Sequence, residues 1–182
     1  MRIVAIRHLP TQFNAEGLLQ GRRDEPILPP TAAMKRVIRA NRRRLLDMPA
    51  FDKVLVSRLR RTAMTAQIYG YGEEKEVEPL LDELAFGHFE GRPRSEMLVE
   101  VGSRWIEAPQ TLVLGEPLEQ LGQRVRQLTL KYRGLDSLLI FGHGAWIRAL
   151  ISFAEHGGIE SMNRFEIGNN ELKCIALGGA PL

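Results

Sequence analysis

The chain has 182 residues, 44% of them hydrophobic and 26% charged, with a formal net charge of +3 at pH 7. That length and composition suit one globular domain able to bury its own core, and no apolar run approaches the ~20 residues of a membrane span. The lone cysteine, Cys174, excludes an intrachain disulfide and a cysteine-based metal cage. Met1 leads directly into an apolar stretch with no signal peptide before it, so the expected location is cytoplasmic.

Of the 25 basic residues, 20 are arginine, the planar fork suited to phosphate and carboxylate. Residues 2–6 (RIVAI) predict a short buried strand that runs into Arg7 and His8 and then meets Leu9-Pro10. Residues 30–48 have helical periodicity, with the basic cluster from Lys35 to Arg44 as a wet face. No stacking platform or reading motif accompanies that cluster, so nucleic-acid binding is not expected. Residues 53–56 (KVLV) predict a second strand, followed by a helix over 57–70 with Ser57 placed as its cap. Residues 78–115 are irregular, punctuated by Pro79, Gly87, Gly91, Pro93, Pro109 and Gly115. They predict an insertion over one end of the sheet, with a short helix near 95–101. A helix over 118–134, a strand at 137–141 (SLLIF), a glycine-marked helix over 142–154 and a last strand at 172–177 (LKCIAL) complete the chain.

Near-continuous apolar strands alternating with helices predict an α/β fold, a mostly parallel central sheet covered on both faces in a three-layer helix–sheet–helix sandwich. The whole chain, 1–182, is expected to form a single domain. In such sheets ligands settle beyond the carboxyl ends of the strands. His8 follows one strand, the 57–61 segment a second and His143 a third, so two histidines and several arginines converge at one edge.

The spacing of these residues carries a resemblance. "RHLPTQFNAEGLLQGRRDEPI" resembles the opening signature of the histidine phosphatase superfamily (phosphoglycerate mutase-like), R-H-G-x-T-x-x-N followed by Q-G and D-x-P. Arg7, His8, Thr11, Asn14, Gln20, Gly21, Asp24 and Pro26 stand in register. "SRLRRTAMTA" is similar to S-x-L-x-R-A-x-x-T-A and places a second arginine at Arg61. "LDELAFGHFEG" is similar to L-x-E-x-x-x-G-x-x-E-G and places an acid at Glu83. "LLIFGHGAWIRAL" matches the family's strand, H-G and x-x-I-R-A segment at His143. The likeness is closest to the small phosphatase branch that includes α-ribazole phosphatase-like proteins.

The resemblance implies a phosphoglycerate mutase-like fold and a metal-independent phosphomonoester hydrolase, with no cofactor and a small phosphorylated metabolite as substrate. His8 would attack phosphorus as a neutral imidazole, its other ring nitrogen donating to a nearby carbonyl. Arg7, Arg61 and Asn14 would hold the phosphoryl oxygens, and Gln20 and Gly21 would join the substrate site. His143 would donate to the same oxygens in its protonated form. Glu83 would protonate the leaving oxygen and then serve as base for water, with Asp82 and Glu90 as rival carboxylates. Arg22, Arg23, Arg58, Arg60 and His88 are candidates for the rim, with solvated surface an equal or better reading. The sequence departs from the family at Leu9, where glycine is usual, so either the loop needs no special dihedral or the pocket is altered. Alternatives are a mutase-type phosphotransferase, a metal-dependent hydrolase using His8, His143, Asp82 and Glu83, and an impaired module that binds phosphate ligands without turnover. The oligomeric state is open, and a homodimer is compatible with the sequence.

Overall fold

The alternation of apolar side chains along the strands sets the architecture. In β1 (Arg2–Arg7), Ile3 and Ala5 join one apolar core while Val4 and Ile6 join another. The same period of two divides Leu55 from Val54 and Val56 in β2 (Lys53–Val56). Each of these valine, leucine and isoleucine side chains removed from water contributes roughly 1.5–3 kcal/mol, so a one-residue slip would undo both cores together. The computed structural model describes residues 1–178.

The sheet has five strands, completed by β3 (Lys75–Val77), β4 (Ser137–Gly142) and β5 (Leu172–Ala176), in the order β3-β2-β4-β1-β5. The first four run parallel and β5 pairs antiparallel with β1. The four predicted strands are present, and β3 is the one unanticipated strand among the described residues. It is three residues long, at an edge, and charged or exposed throughout, so it lacks the apolar signal that marks a buried strand.

Helices cover both faces. After the single turn α1 (Gln12–Ala15), helix α2 (Ala32–Leu46) buries Ile38, Asn41 and Leu45 at helical spacing, with its basic residues on the wet side. Together with α3 (Arg60–Tyr69) it closes the face that carries Val4 and Ile6. The opposite face is closed by α6 (Leu118–Lys131) and α7 (Gly144–His156). Residues 78–115 contain α4 (Arg94–Val101), α5 (Arg104–Glu107) and three short 3₁₀ turns, and contribute Leu81, Leu84, Phe89, Met97 and Trp105 to that same core. The expected short helix near 95–101 is therefore α4. Among the described residues, no helix is long and apolar enough to cross a membrane.

One local expectation is corrected. Ser57 does not cap the following helix, which begins at Arg60 with Leu59 as its N-cap residue and no side-chain cap of its own. The Arg60 N–H donates to Asp24 Oδ1 at 2.7 Å, so the cap comes from a distant loop. The Ser57 hydroxyl is turned inward instead.

Candidate active site

The register of β1 on β4 pairs Arg7 with Gly142, which sets His8 beside His143 as the two strands end. Their rings are 5.3 Å apart, edge to face at 62°. His8 is buried, and its Nδ1 lies 2.7 Å from the carbonyl oxygen of Leu9. A carbonyl only accepts, so Nδ1 carries the proton and Nε2 keeps its lone pair. The His8 carbonyl accepts from Asn169 Nδ2 at 2.9 Å, which braces the backbone. Burial, then the charges of Arg61 and Arg7, push the His8 pKa well below the ordinary histidine value, against the opposing pull of the Leu9 carbonyl. The ring is neutral at pH 7.

Arg61, wholly buried on the first turn of α3, donates Nη1 to the Arg23 carbonyl at 2.7 Å and Nη2 to the Gly21 carbonyl at 2.8 Å. Its Nε donates to His143 Nδ1 at 3.2 Å. His143 Nε2 then carries the proton and donates to Ser57 Oγ at 2.7 Å. Burial and neighbouring arginines, Arg61 foremost, hold His143 well below the usual histidine range. The structure therefore differs from the expected protonated donor: both ring nitrogens are engaged within the protein and the ring is neutral. Donation to a phosphoryl oxygen would require one of these partners to be released. Ser57 was not foreseen as part of this chain, although its place directly after β2 was the available signal.

Arg7 donates Nη1 to the Ile167 carbonyl at 2.7 Å, and its buried Nε has no partner among the described residues. Asn14 accepts at Oδ1 from Thr11 N and Oγ1, both at 3.2 Å, and from Asn169 at 3.3 Å, leaving its amide nitrogen for the cavity. Gly21 has φ +54°, a left-handed turn that suits glycine, and a Cβ there would collide with the Glu90 carboxylate. Gln20 is buried with Oε1 unpartnered among the described residues.

Glu83 is held at the N-terminus of α7. Its Oε1 accepts from Leu84 N at 2.9 Å and Trp146 N at 3.1 Å, and its Oε2 from Ala145 N at 3.1 Å. A carboxylate offers roughly four lone-pair sites, so one remains for a proton or a water.

These groups surround a cavity of about 200 Å³, lined by Arg7, His8, Asn14, Gln20, Gly21, Arg61 and Glu83 among others. Arg94, Trp105 and Arg148 also line it, and none of them was given a role from the sequence. The signal for Arg148 was its place as the arginine of the I-R-A segment that stands in register after His143. His143 lies behind Arg61 rather than in the lining. The rival acids stand elsewhere: Asp82 pairs with Arg58 at 2.5 Å, and Glu90 Oε1 accepts the Arg22 and Phe86 N–H groups at 3.1 and 3.0 Å. Arg22 and Arg60 pair with Glu116 and Asp24, Arg23 lies over the Phe13 ring, and His88 sits 3.8 Å from Glu100. No group of three or more potential metal-ligating side chains occurs among the described residues.

A mostly parallel sheet covered by helices on both faces, whose strand ends present a neutral imidazole among buried arginines, defines an α/β protein with a basic cavity at the carboxyl ends of its strands. A family model of the histidine phosphatase superfamily (branch 1) matches residues 3–180, and the chain belongs to that superfamily. It is 27% identical over 177 residues to the adenosylcobalamin/α-ribazole phosphatase of Escherichia coli K12, covering 92% of this chain and 85% of that one. The structure of the α-ribazole phosphatase from Shigella flexneri superposes with a TM-score of 0.75 at 29% identity, over 98% of this chain and 92% of that one. A mycobacterial glucosyl-3-phosphoglycerate phosphatase shares the fold with a TM-score of 0.78 at 20% identity, over 96% and 92% of the two chains.

Proposed function

We propose that the protein is a metal-independent phosphomonoester hydrolase that works through a phosphohistidine at His8. The observation that carries this reading is the Nδ1 contact to the Leu9 carbonyl, which commits the Nε2 lone pair of a buried neutral imidazole to the reacting side. The similarity to two α-ribazole phosphatases supports the reaction class.

In the first half-reaction Nε2 attacks phosphorus and the ester P–O bond breaks. The leaving oxygen takes the proton carried by Glu83 at its remaining lone-pair site. In the second, the Glu83 carboxylate takes a proton from water, the water oxygen attacks phosphorus, and the P–N bond breaks to restore the imidazole. Arg7, with its unpartnered Nε, and Arg61 supply donors where charge gathers on the equatorial oxygens. Arg61 spends three of its five N–H bonds on the protein, which aims the other two at the site without rotational freedom.

Phosphate release from an aryl phosphate, measured with a chelator present, tests the proposal. The parent should turn over, and His8→Ala should lose roughly 10³-fold or more of kcat. Turnover that survives the substitution would rule out His8 as nucleophile.

A further inference from the structure

The sheet ends in two unlike edges. At one side β3 is three residues long and carries Lys75 and Glu76, a short charged edge of the kind that resists pairing with another chain. At the other side β5 is five residues long, LKCIA, with one charge and no proline, and its register on β1 is unbroken from Leu172 to Ala176.

The direction of its outer hydrogen-bonding groups follows from that register. In an antiparallel pair, alternate residues bond the neighbouring strand and those between them point away from it. Arg7 N–H donates to the Glu171 carbonyl at 3.1 Å and Leu177 N–H to the Met1 carbonyl at 2.9 Å, so the odd-numbered residues of β5 face β1. The N–H and carbonyl groups of Leu172, Cys174 and Ala176 therefore face outward. None of them takes part in a loop or cap bond among the described residues. These three residues are symmetric about Cys174. A second copy laid antiparallel along the edge pairs Cys174 with the partner's Cys174, Leu172 with the partner's Ala176 and Ala176 with the partner's Leu172. Every outward donor then meets an outward acceptor without a bulge.

The side chains agree with this pairing. Cys174 and Ala176 are exposed and small, so they bring no bulk into conflict on their face of the sheet. On the other face a cavity of about 400 Å³ lies between β5 and α7, with Ile151, Phe165 and Ile175 in its lining beside Glu155 and Glu166. Neither glutamate pairs with a lysine or arginine among the described residues. Lys173 is bridged to Glu171 at 2.7 Å. The two-fold pairing sets the partner's Lys173 opposite Ile175, on the face that holds the two free acids.

We infer that the protein forms a homodimer in which two sheets join edge to edge through β5, antiparallel and two-fold symmetric about Cys174. Each copy lends Lys173 to the acidic groove of the other. The interface stands apart from the hydrolase reading, since no residue of β5 lines the active-site cavity.

Sedimentation velocity of the reduced protein across a concentration series tests this. The parent should be a dimer at micromolar concentration. Ala176→Pro removes an outward N–H that β1 does not use, a position where an edge strand accepts proline, and should raise the dimer Kd about tenfold or more. Its far-UV circular dichroism should stay native. Lys173→Glu, which faces the partner's acids with a third, should weaken the dimer as well. Val77→Lys on the exposed end of β3 should leave it intact. Residues opposite each other in a bonded antiparallel pair have Cα atoms about 5.5 Å apart, within the roughly 4.4–6.8 Å that a disulfide spans. Diamide should therefore link the parent through Cys174 in a form that dithiothreitol reverses, and Ala176→Pro, which keeps the thiol, should link far less. A parent that stays monomeric, a dimer that resists both β5 substitutions, or one that Val77→Lys dissolves would each overturn the inference. Equal disulfide yield in the parent and Ala176→Pro would overturn the register about Cys174.

Discussion

Leu9 stands where the family's opening signature has glycine, and its surroundings explain why the replacement is tolerated. Glycine is required where φ is positive, and among the described non-glycine residues only Asn170 has such a φ. Leu9 therefore needs no dihedral that leucine resists, in keeping with the extended backbone that Pro10 favours before it. Both its polar groups are occupied: N–H donates to Thr65 Oγ1 at 3.0 Å, and the carbonyl accepts from His8 Nδ1. The side chain is wholly buried in the α2–α3 core and does not line the cavity. Leucine here is a packing residue whose backbone orients the nucleophile. Leu9→Ala should cost about 2–5 kcal/mol of unfolding free energy in a urea titration, while kcat of the folded protein changes by less than tenfold. A larger catalytic loss at full folding would mean that the side chain shapes the pocket after all.

At the scale of elements, the loop that carries Glu83 is held from three sides. Arg124 on α6 donates Nη1 to the Leu80 and Asp82 carbonyls at 3.0 and 2.5 Å, and Trp146 on α7 donates Nε1 to the Leu80 carbonyl at 2.7 Å. Buried Glu116 accepts from Ala85 N and from Arg124 Nη2 through one oxygen, and from Arg22 Nη2 through the other. Arg22 in turn donates Nε to the Glu83 carbonyl at 3.2 Å, which fastens the 20–24 loop to the acid. Glu116 is thus a positioning residue, bonded to groups on both sides of Glu83 and never to the cavity. Removing one partner from such a network strands the other charges, and a loss of about 3 kcal/mol is expected for Glu116→Ala. Arg7 and Arg61 keep their own supports in that variant, so kcat should fall by more than KM rises. Calorimetric unfolding together with a kcat–KM comparison checks both halves. An unchanged kcat would show that the network serves stability alone.

Across the whole molecule, what could be read from the sequence was whatever has a local pattern. The four apolar strands, the long amphipathic helices and the His8, Arg61, Glu83 and His143 positions all lie in motifs of fixed spacing. The missing parts depend on contacts between distant segments. Strand β3 exists because β2 offers it an edge, the cap of α3 comes from Asp24, and Arg94 reaches the cavity only because residues 78–115 fold back over the strand ends. The same convergence has a thermodynamic consequence. His8 and His143 are buried among arginines, so both have folded pKa values well below those of the unfolded chain. As pH falls below about 6.5 the unfolded chain binds two protons that the folded one refuses, so stability is complete above that pH and declines beneath it. Each histidine contributes a slope of about 1.4 kcal/mol per pH unit. Glu78 and Glu171, whose folded pKa values are lowered by Lys131 and Lys173 respectively despite the opposing effect of burial, add their own losses only nearer pH 4. Urea midpoints measured between pH 7 and pH 5 should therefore fall steeply, and His8→Ala should roughly halve the slope between pH 6 and pH 5. A flat profile over that range would mean that one or both rings accept a proton in the folded state, and the neutral nucleophile on which the phosphohistidine route depends would lose its physical basis.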